Sequence, residues 1–192
     1  KVRSHAMEIA GKINPGMMAA IIGADEKQLE QICNQAGVVV PANLNAPGQI
    51  VISGEIESVN YAITVAKDLG IRRAVSLKVS GAFHSPLMAL AREPLQEVIN
   101  SVNFKDAKVP VYQNFVARAV TDVKNIRQNI LYQLENPVLW ADTISKMLQN
   151  GLTKFIEVGP GKVLNGLNRR MNKEIITHNF DKMENLNTCA ML

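Results

Sequence analysis

Length, composition and charge are those of an ordinary globular protein and exclude several functional classes. The 192 residues suffice for one domain, or for a core with a smaller lobe, and 47% of them are hydrophobic while 20% are charged. No apolar run approaches the roughly eighteen residues of a membrane span, and the opening sequence KVRSHAMEIAGK lacks an apolar signal region. The net charge is only +4 and the basic residues are scattered, so we expect neither nucleic acid nor a membrane as a partner.

The two cysteines predict neither a disulfide scaffold nor a metal site. Cys33 and Cys189 are too few for a disulfide framework, and their wide separation differs from the close spacing of metal-binding cysteines. We therefore expect a reducing, cytoplasmic setting.

The first third of the chain predicts elements in a β-α-β-β-α-β order. Residues 17–24 (MMAAIIGA) form a short apolar run, which indicates a buried strand, and residues 25–37 show the one-sided apolar pattern of a helix. Strands at 38–45 and 49–55, a helix at 55–69 and a strand at 73–81 follow. This order predicts a ferredoxin-like unit, a four-stranded antiparallel sheet with both helices on one face.

The rest of the chain alternates helices with strands, which predicts an α/β layer with a parallel sheet. Residues 86–102 read as one long helix that Pro94 kinks. From residue 181 onward we expect a polar, frayed tail. The remaining predicted elements are a strand at 109–114, a helix that ends before Pro137, a helix at 140–151, a strand at 153–161, a helix at 162–171 and a strand at 174–180.

Three segments at junctions between predicted elements are candidates for a functional site, because α/β folds bind ligands at the carboxyl ends of their strands. His84, in VSGAFHSPLM, is either a general acid or base with a pKa near neutrality or a helix-terminal histidine without a function. Asn43 and Asn45 flank a turn, and they either contact a ligand or cap the turn. GPGK lacks the spacing of a phosphate-binding loop, which favours a packing turn at 159–162.

A nucleophile for His84 is missing from these motifs. The chain contains no G-x-S-x-G sequence. Ser85 is adjacent to His84, but neighbouring helical side chains point about 100° apart and make a poor catalytic pair. Neither cysteine lies at a strand-turn-helix junction, so the residues alone indicate half of an active site.

Four segments together resemble the carboxyl-terminal part of bacterial malonyl-CoA:acyl carrier protein transacylases, a resemblance that runs from residue 1 to about 180. They are NLNAPGQIVISG, VSGAFHSPLM, QLENPVLW and FIEVGPGKVLNGL, in the family's order and spacing. The resemblance implies an α/β-hydrolase-like large subdomain (1–11 and 83–180) into which a ferredoxin-like small subdomain (12–82) is inserted, followed by the polar tail (181–192). It also implies transfer of malonyl from coenzyme A to a serine and then to the phosphopantetheine thiol of acyl carrier protein, with the thioester as substrate and no cofactor.

The same resemblance implies roles for five residues. His84 would activate the serine, and the Gln133 main-chain carbonyl would hold the imidazole in place of a triad acid. Arg3 would pair its planar guanidinium with the malonyl carboxylate. Asn43 and Asn45 would lie beside the cleft. We therefore expect one His84 nitrogen within hydrogen-bond reach of the Gln133 oxygen, and Arg3 in the same cleft.

The chain departs from the family pattern in one respect, and alternatives stay open. The serine and the oxyanion-hole donors are expected upstream of Lys1, so we expect these 192 residues by themselves to be inactive. An acyltransferase domain of a polyketide synthase is the first alternative, and Ala82 and Phe83 before His84 are compatible with malonyl there; the short tail favours a free-standing, monomeric enzyme. A non-catalytic binding fragment is the second.

Overall fold

The computed structural model describes residues 1–182; residues 183–192 of the predicted tail, and with them Cys189, lie outside the described residues. The helices are α1 (Val2–Ile13), α2 (Glu26–Cys33), α3 (Ile56–Asp68), a 3₁₀ helix (Pro86–Ala91), α4 (Arg92–Ser101), α5 (Val123–Tyr132), α6 (Trp140–Gln149) and α7 (Val163–Met171). The strands are β1 (Gly16–Ile22), β2 (Val39–Ala46), β3 (Gln49–Glu55), β4 (Arg73–Ser76), β5 (Val111–Gln113), β6 (Arg118–Val120), β7 (Lys154–Val158) and β8 (Ile176–Phe180). None of these helices combines the length and hydrophobicity that crossing a membrane requires.

Strands β1 to β4 form one sheet in the order β2-β3-β1-β4, with every neighbouring pair antiparallel. Ala19 and Ile21 of β1 pack with Ile32 of α2 and Val59 of α3 in one buried cluster, so both helices cover the same face. The predicted antiparallel sheet with its helices on one face is confirmed. The bounds proposed for the two subdomains, 12–82 against 1–11 with 83–180, stay a prediction.

Local sequence explains where α2 begins. Asp25 accepts a hydrogen bond from the Gln28 backbone N–H at 2.8 Å, and the Gln28 side chain accepts from the Asp25 N–H at 3.1 Å. This reciprocal capping satisfies two of the amides that a helix leaves unpaired at its start.

Helix α1 was not among the predicted elements, and it forms one wall of the cleft that contains His84. Met7 and Ala10 are buried against Met88 and Leu95, which belong to the 3₁₀ helix and to α4. A Cβ added at Gly11 would lie 2.8 Å from the Ser80 carbonyl oxygen. The α1 backbone therefore lies directly against the segment that leads to His84.

The structure corrects two predicted elements on either side of His84. Strand β4 ends at Ser76 rather than at residue 81, because the Val79 N–H turns back to the Leu77 carbonyl and leaves the ladder. The predicted helix 86–102 is a 3₁₀ helix followed by α4. Pro94 lies in the first turn of α4, where no intrahelical N–H bond is needed, and the predicted kink there stays a prediction.

The predicted parallel sheet is small in residues 1–182. Strands β7 and β8 pair in parallel across α7, whereas β5 pairs antiparallel with β6, a strand that was not predicted. Ala117, at the turn between β5 and β6, has a positive φ of 48°. Because the sequence there has no glycine to mark such a turn, the hairpin carries no local sequence signal.

Two helical glycines provide a test of the α1 contact. We expect Gly11→Ala to lower the free energy of unfolding by about 1–3 kcal/mol, because the methyl group must displace backbone rather than a flexible side chain. Gly166→Ala in α7 is the matched control, since its methyl group would meet nothing within 4 Å, and it should stabilise by about 0.4–1 kcal/mol. Urea denaturation measures both, and equal effects would contradict the close contact.

Candidate active site

A cavity of about 710 Å³ lies where α1, β2 and the segment after β4 meet. Three of the five predicted site residues, Arg3, Asn43 and His84, line it together. Gln133 contacts His84 through its main chain, and Asn45 does not line the cavity. The remaining polar or charged lining residues are Ser4, Glu8, Lys12 and Ser80.

The backbone of His84 adopts a left-handed conformation, with φ 59°. Such a value is uncommon outside glycine and costs energy that the surroundings must offset. Ser85 supplies part of this support, because its fully buried hydroxyl donates to the Ala82 carbonyl at 2.6 Å and accepts from the Leu87 N–H at 3.3 Å. Ser85 thus braces the chain on both sides of His84 and is unsuited to act as a nucleophile.

The imidazole of His84 is held by a main-chain carbonyl. Nδ1 lies 2.8 Å from the Gln133 oxygen, as the resemblance predicted. Since a carbonyl can only accept, Nδ1 must donate, and the neutral ring then carries its lone pair on Nε2. A histidine in this tautomer is prepared to accept a proton through Nε2.

The protonation of His84 also suits a base. Burial lowers the pKa of His84, and the positive charge of Arg3 lowers it further, while the carbonyls of Gln133 and Asn136 act in the opposite direction. The net direction is downward from an ordinary value near 6.5. The ring is therefore predominantly neutral at pH 7 and able to take a proton.

The cavity contains one cation that pairs with a carboxylate and one that pairs with no carboxylate of residues 1–182. Lys12 pairs with Glu8 at 2.6 Å, and Lys12 holds the pKa of that carboxyl below its usual range. Among residues 1–182 no carboxylate pairs with Arg3. Arg3 is thus available for an anionic ligand beside His84. The Glu8–Lys12 pair was missed from the sequence, although its i,i+4 spacing is a known helix-pair signal.

Asn43 and Asn45 lie within strand β2, two or more residues before the turn at Pro47 and Gly48. Asn43 forms a parallel bridge with Val138, with the Leu44 N–H donating to the Val138 carbonyl and the Val138 N–H donating to Ala42, each at 2.9 Å. In the described residues neither asparagine side chain caps the turn. Asn43 lines the cavity and Asn45 does not, and a role for either side chain beside the cleft stays a prediction.

Apolar side chains form the rest of the wall. Phe83 packs against Met18 and Val51 of the four-stranded sheet, and it also contacts the cluster built around α1 and α4. The residue before His84 therefore bridges two hydrophobic clusters. Leu77 and Val79 extend this apolar surface along the cavity.

The backbone amides that follow the loop of residues 159–162 are already hydrogen-bonded within the protein. Both carboxylate oxygens of Glu157 accept from the first turn of α7, from the Leu164 N–H at 3.0 Å and from the Asn165 N–H at 2.8 Å. Because these amides already have an anionic partner, the loop is a helix cap and not a phosphate site.

No hydroxyl or thiol group of residues 1–182 is hydrogen-bonded to the His84 imidazole. Ser4 and Ser80 line the cavity, but no serine or cysteine of residues 1–182 hydrogen-bonds to the imidazole. Ser4 instead donates to the Lys1 carbonyl at 2.9 Å. The described half of the site supplies a base, a cation and an apolar wall.

Comparison with known proteins assigns the chain to a family. The sequence pattern of the acyl transferase domain matches residues 2–191. The chain belongs to the acyl transferase domain family. It is 43% identical over 179 residues to the malonyl CoA-acyl carrier protein transacylase of Bacillus subtilis strain 168, an alignment that covers 91% of this chain and 56% of the relative.

Solved structures of such enzymes share the fold. The acyl-carrier-protein-S-malonyltransferase of Bartonella henselae superposes with a TM-score of 0.93 at 38% identity, covering 99% of this chain and 62% of that one. A malonyl-transacylase solved in complex with a type II polyketide acyl-carrier protein gives a TM-score of 0.91 at 33% identity, with 97% and 62% coverage. The α/β fold class is thereby confirmed, and the chain spans about three fifths of the length of these relatives.

The brace at Ser85 can be tested with two matched serines. We expect Ser85→Ala to destabilise the protein by about 1–3 kcal/mol, because it leaves the buried Ala82 carbonyl without a partner. Ser101 makes the same kind of bond three residues back, to Val98 at 2.9 Å, but on the surface. Ser101→Ala should stay within about 0.5 kcal/mol of the unsubstituted protein in urea denaturation. A Ser85→Ala effect as small as that would show that the brace contributes nothing.

Proposed function

We propose that the protein carrying this chain is a malonyl-CoA:acyl carrier protein transacylase of fatty acid synthesis. The observation that carries the proposal is that one cavity holds both His84, whose pKa is lowered by burial, and Arg3, which no carboxylate of residues 1–182 pairs with. A base beside a fixed cation suits transfer of an acyl group that bears its own carboxylate. The names of the relatives in Bacillus subtilis and Bartonella henselae agree with this chemistry.

In the proposed reaction His84 acts twice through Nε2. It first takes the proton of a serine hydroxyl, supplied from outside residues 1–182, as the serine oxygen attacks the thioester carbonyl of malonyl-CoA. The proton then passes to the departing coenzyme A sulfur. In the second half the same nitrogen deprotonates the phosphopantetheine thiol of the carrier protein, whose sulfur attacks the serine ester, and the proton returns to the serine oxygen.

The Gln133 carbonyl raises the pKa of this base less than a carboxylate would. A carboxylate in its place would add a negative charge and raise the pKa of the imidazole, whereas a carbonyl orients the ring with a smaller effect. Burial and Arg3 then keep the pKa below its ordinary value, so the base stays deprotonated in neutral solution.

Acyl carrier protein is the proposed acceptor, and a polyketide carrier protein is the second candidate. The polyketide candidate is supported by the malonyl-transacylase that was solved in complex with a type II polyketide acyl-carrier protein, because that enzyme shares the fold of this chain. The two candidates share the proposed roles of His84 and Arg3 and differ in the carrier protein. A third possibility, a non-catalytic fragment, would be supported if the complete gene product transferred no acyl group to either carrier.

Acyl selectivity tests the proposal. In the complete gene product we expect Arg3→Gln to lower malonyl transfer by about 10–10²-fold, because a charge-assisted pair contributes roughly 1.5–3 kcal/mol, and to lower acetyl transfer far less. Lys12→Gln is the matched control, since Lys12 lines the same cavity but already has Glu8 as its partner. Transfer of radiolabelled malonyl and acetyl groups from coenzyme A to carrier protein measures both rates. Equal losses for the two acyl groups in Arg3→Gln would contradict the role of Arg3.

A further inference from the structure

Gln133 uses its main chain and its side chain toward different partners. Its carbonyl oxygen accepts from His84 Nδ1, while its own N–H donates to the Asn129 carbonyl at 3.0 Å and closes the end of α5. Its side-chain Nε2 turns the other way and donates to the carbonyls of Asn136 at 2.8 Å and Pro137 at 3.0 Å. Both N–H groups of this half-buried amide are therefore hydrogen-bonded to the loop that follows α5.

Asn136 and Pro137, the first two residues of the loop, have few other hydrogen bonds in the described part of the chain. Pro137 lacks an N–H, so it cannot help to pair the last carbonyls of α5. The Asn136 side chain donates to the Tyr132 carbonyl at 2.7 Å, and this bond is exposed. Without the Gln133 amide, the two partly buried carbonyls of Asn136 and Pro137 would lose their donors, which favours rearrangement of the loop toward water.

The loop also connects His84 to the cavity wall. The Asn136 carbonyl is one of the groups that act on the pKa of His84. One residue beyond Pro137, Val138 exchanges two main-chain hydrogen bonds with β2 on either side of Asn43. The loop thus lies between the carbonyl that orients the imidazole and the strand that bears Asn43.

We propose that the side-chain amide of Gln133 is a positioning group that fixes the loop 136–138 and thereby holds the Gln133 carbonyl on His84 Nδ1. The amide touches neither substrate nor the reacting atoms, so its effect passes through the tautomer of His84. The consequence for catalysis rests on the proposed function, whereas the consequence for the tautomer does not. Because the carbonyl belongs to the main chain, a substitution at 133 removes the amide and keeps the carbonyl.

Gln133→Met separates the two roles, since methionine has a similar length, no charge and no donor. We expect the unsubstituted gene product to carry the neutral His84 proton on Nδ1, and we expect Gln133→Met to move a large fraction of it to Nε2. Nitrogen-15 shifts of labelled histidine report this ratio directly. Malonyl transfer should fall by about tenfold to 10²-fold, the scale of a catalytic group displaced by about 1 Å.

Gln128→Met on the same helix is the control. Gln128 is exposed and lies five residues before Gln133, so its substitution should change neither the tautomer nor the transfer rate. If Gln133→Met does not fold, Gln133→Leu removes the same donors without adding a charge and should show the same loss of the Nδ1–H form. In the unsubstituted protein the two Nε2 protons of Gln133 should exchange with solvent more slowly than those of an exposed glutamine.

An unchanged His84 tautomer in a folded Gln133 variant would overturn the inference, and so would fast solvent exchange of the Gln133 amide. If the tautomer shifts in Gln133→Met but the unsubstituted gene product transfers no acyl group, the inference is upheld and the proposed function is refuted. A tautomer that shifts together with the transfer rate supports both.

Discussion

The hydrogen bond from His84 Nδ1 to the Gln133 carbonyl, 2.8 Å long, joins two segments that are 49 residues apart in sequence. Three features of the chain around His84 allow this contact to form. The chain must leave the four-stranded sheet at Ser76, reach a left-handed conformation at His84 and enter a 3₁₀ helix immediately afterwards. The bond then determines which imidazole nitrogen can accept a proton, so a main-chain contact decides the chemistry of the side chain.

Main-chain contacts help to join the sheet of β1 to β4 to the rest of the molecule around this bond. Strand β2 bridges Val138, and Gly11 of α1 lies against the Ser80 carbonyl. Arg170 of α7 adds a hydrogen bond to Gln49 of β3. Backbone contacts tolerate little displacement, because no flexible side chain can absorb it. This constraint gives a physical reason why His84 and Arg3 keep their relative positions in the cavity.

Local patterns in the sequence predicted most of the elements, and non-local geometry explains what they missed. The β-α-β-β-α-β unit followed from periodicity and turn residues, and β3 was predicted with the bounds that the structure has. Strand β6 has three residues and exists only through its pairing with β5, so no pattern marks it. His84 was singled out by its position between two elements, but its positive φ depends on the buried Ser85 and on Gln133. The contact of the Gln133 carbonyl with His84 was predicted from the family resemblance. Every residue type has a main-chain carbonyl, so the residue itself does not indicate such a contact. The donors that its side chain offers to the following loop could be seen only in three dimensions.

Replacement of His84 by asparagine tests the central claim most directly, because asparagine tolerates a positive φ and so preserves the backbone while removing the base. Single-turnover transfer from malonyl-CoA, followed in the complete gene product, is the measurement, with His5→Asn on the exposed surface of α1 as the control. The account predicts that His84→Asn folds normally and loses acyl transfer by roughly 10²–10⁴-fold, the usual effect of removing a general base, whereas His5→Asn is unaffected. Transfer at the unsubstituted rate in folded His84→Asn would contradict the account.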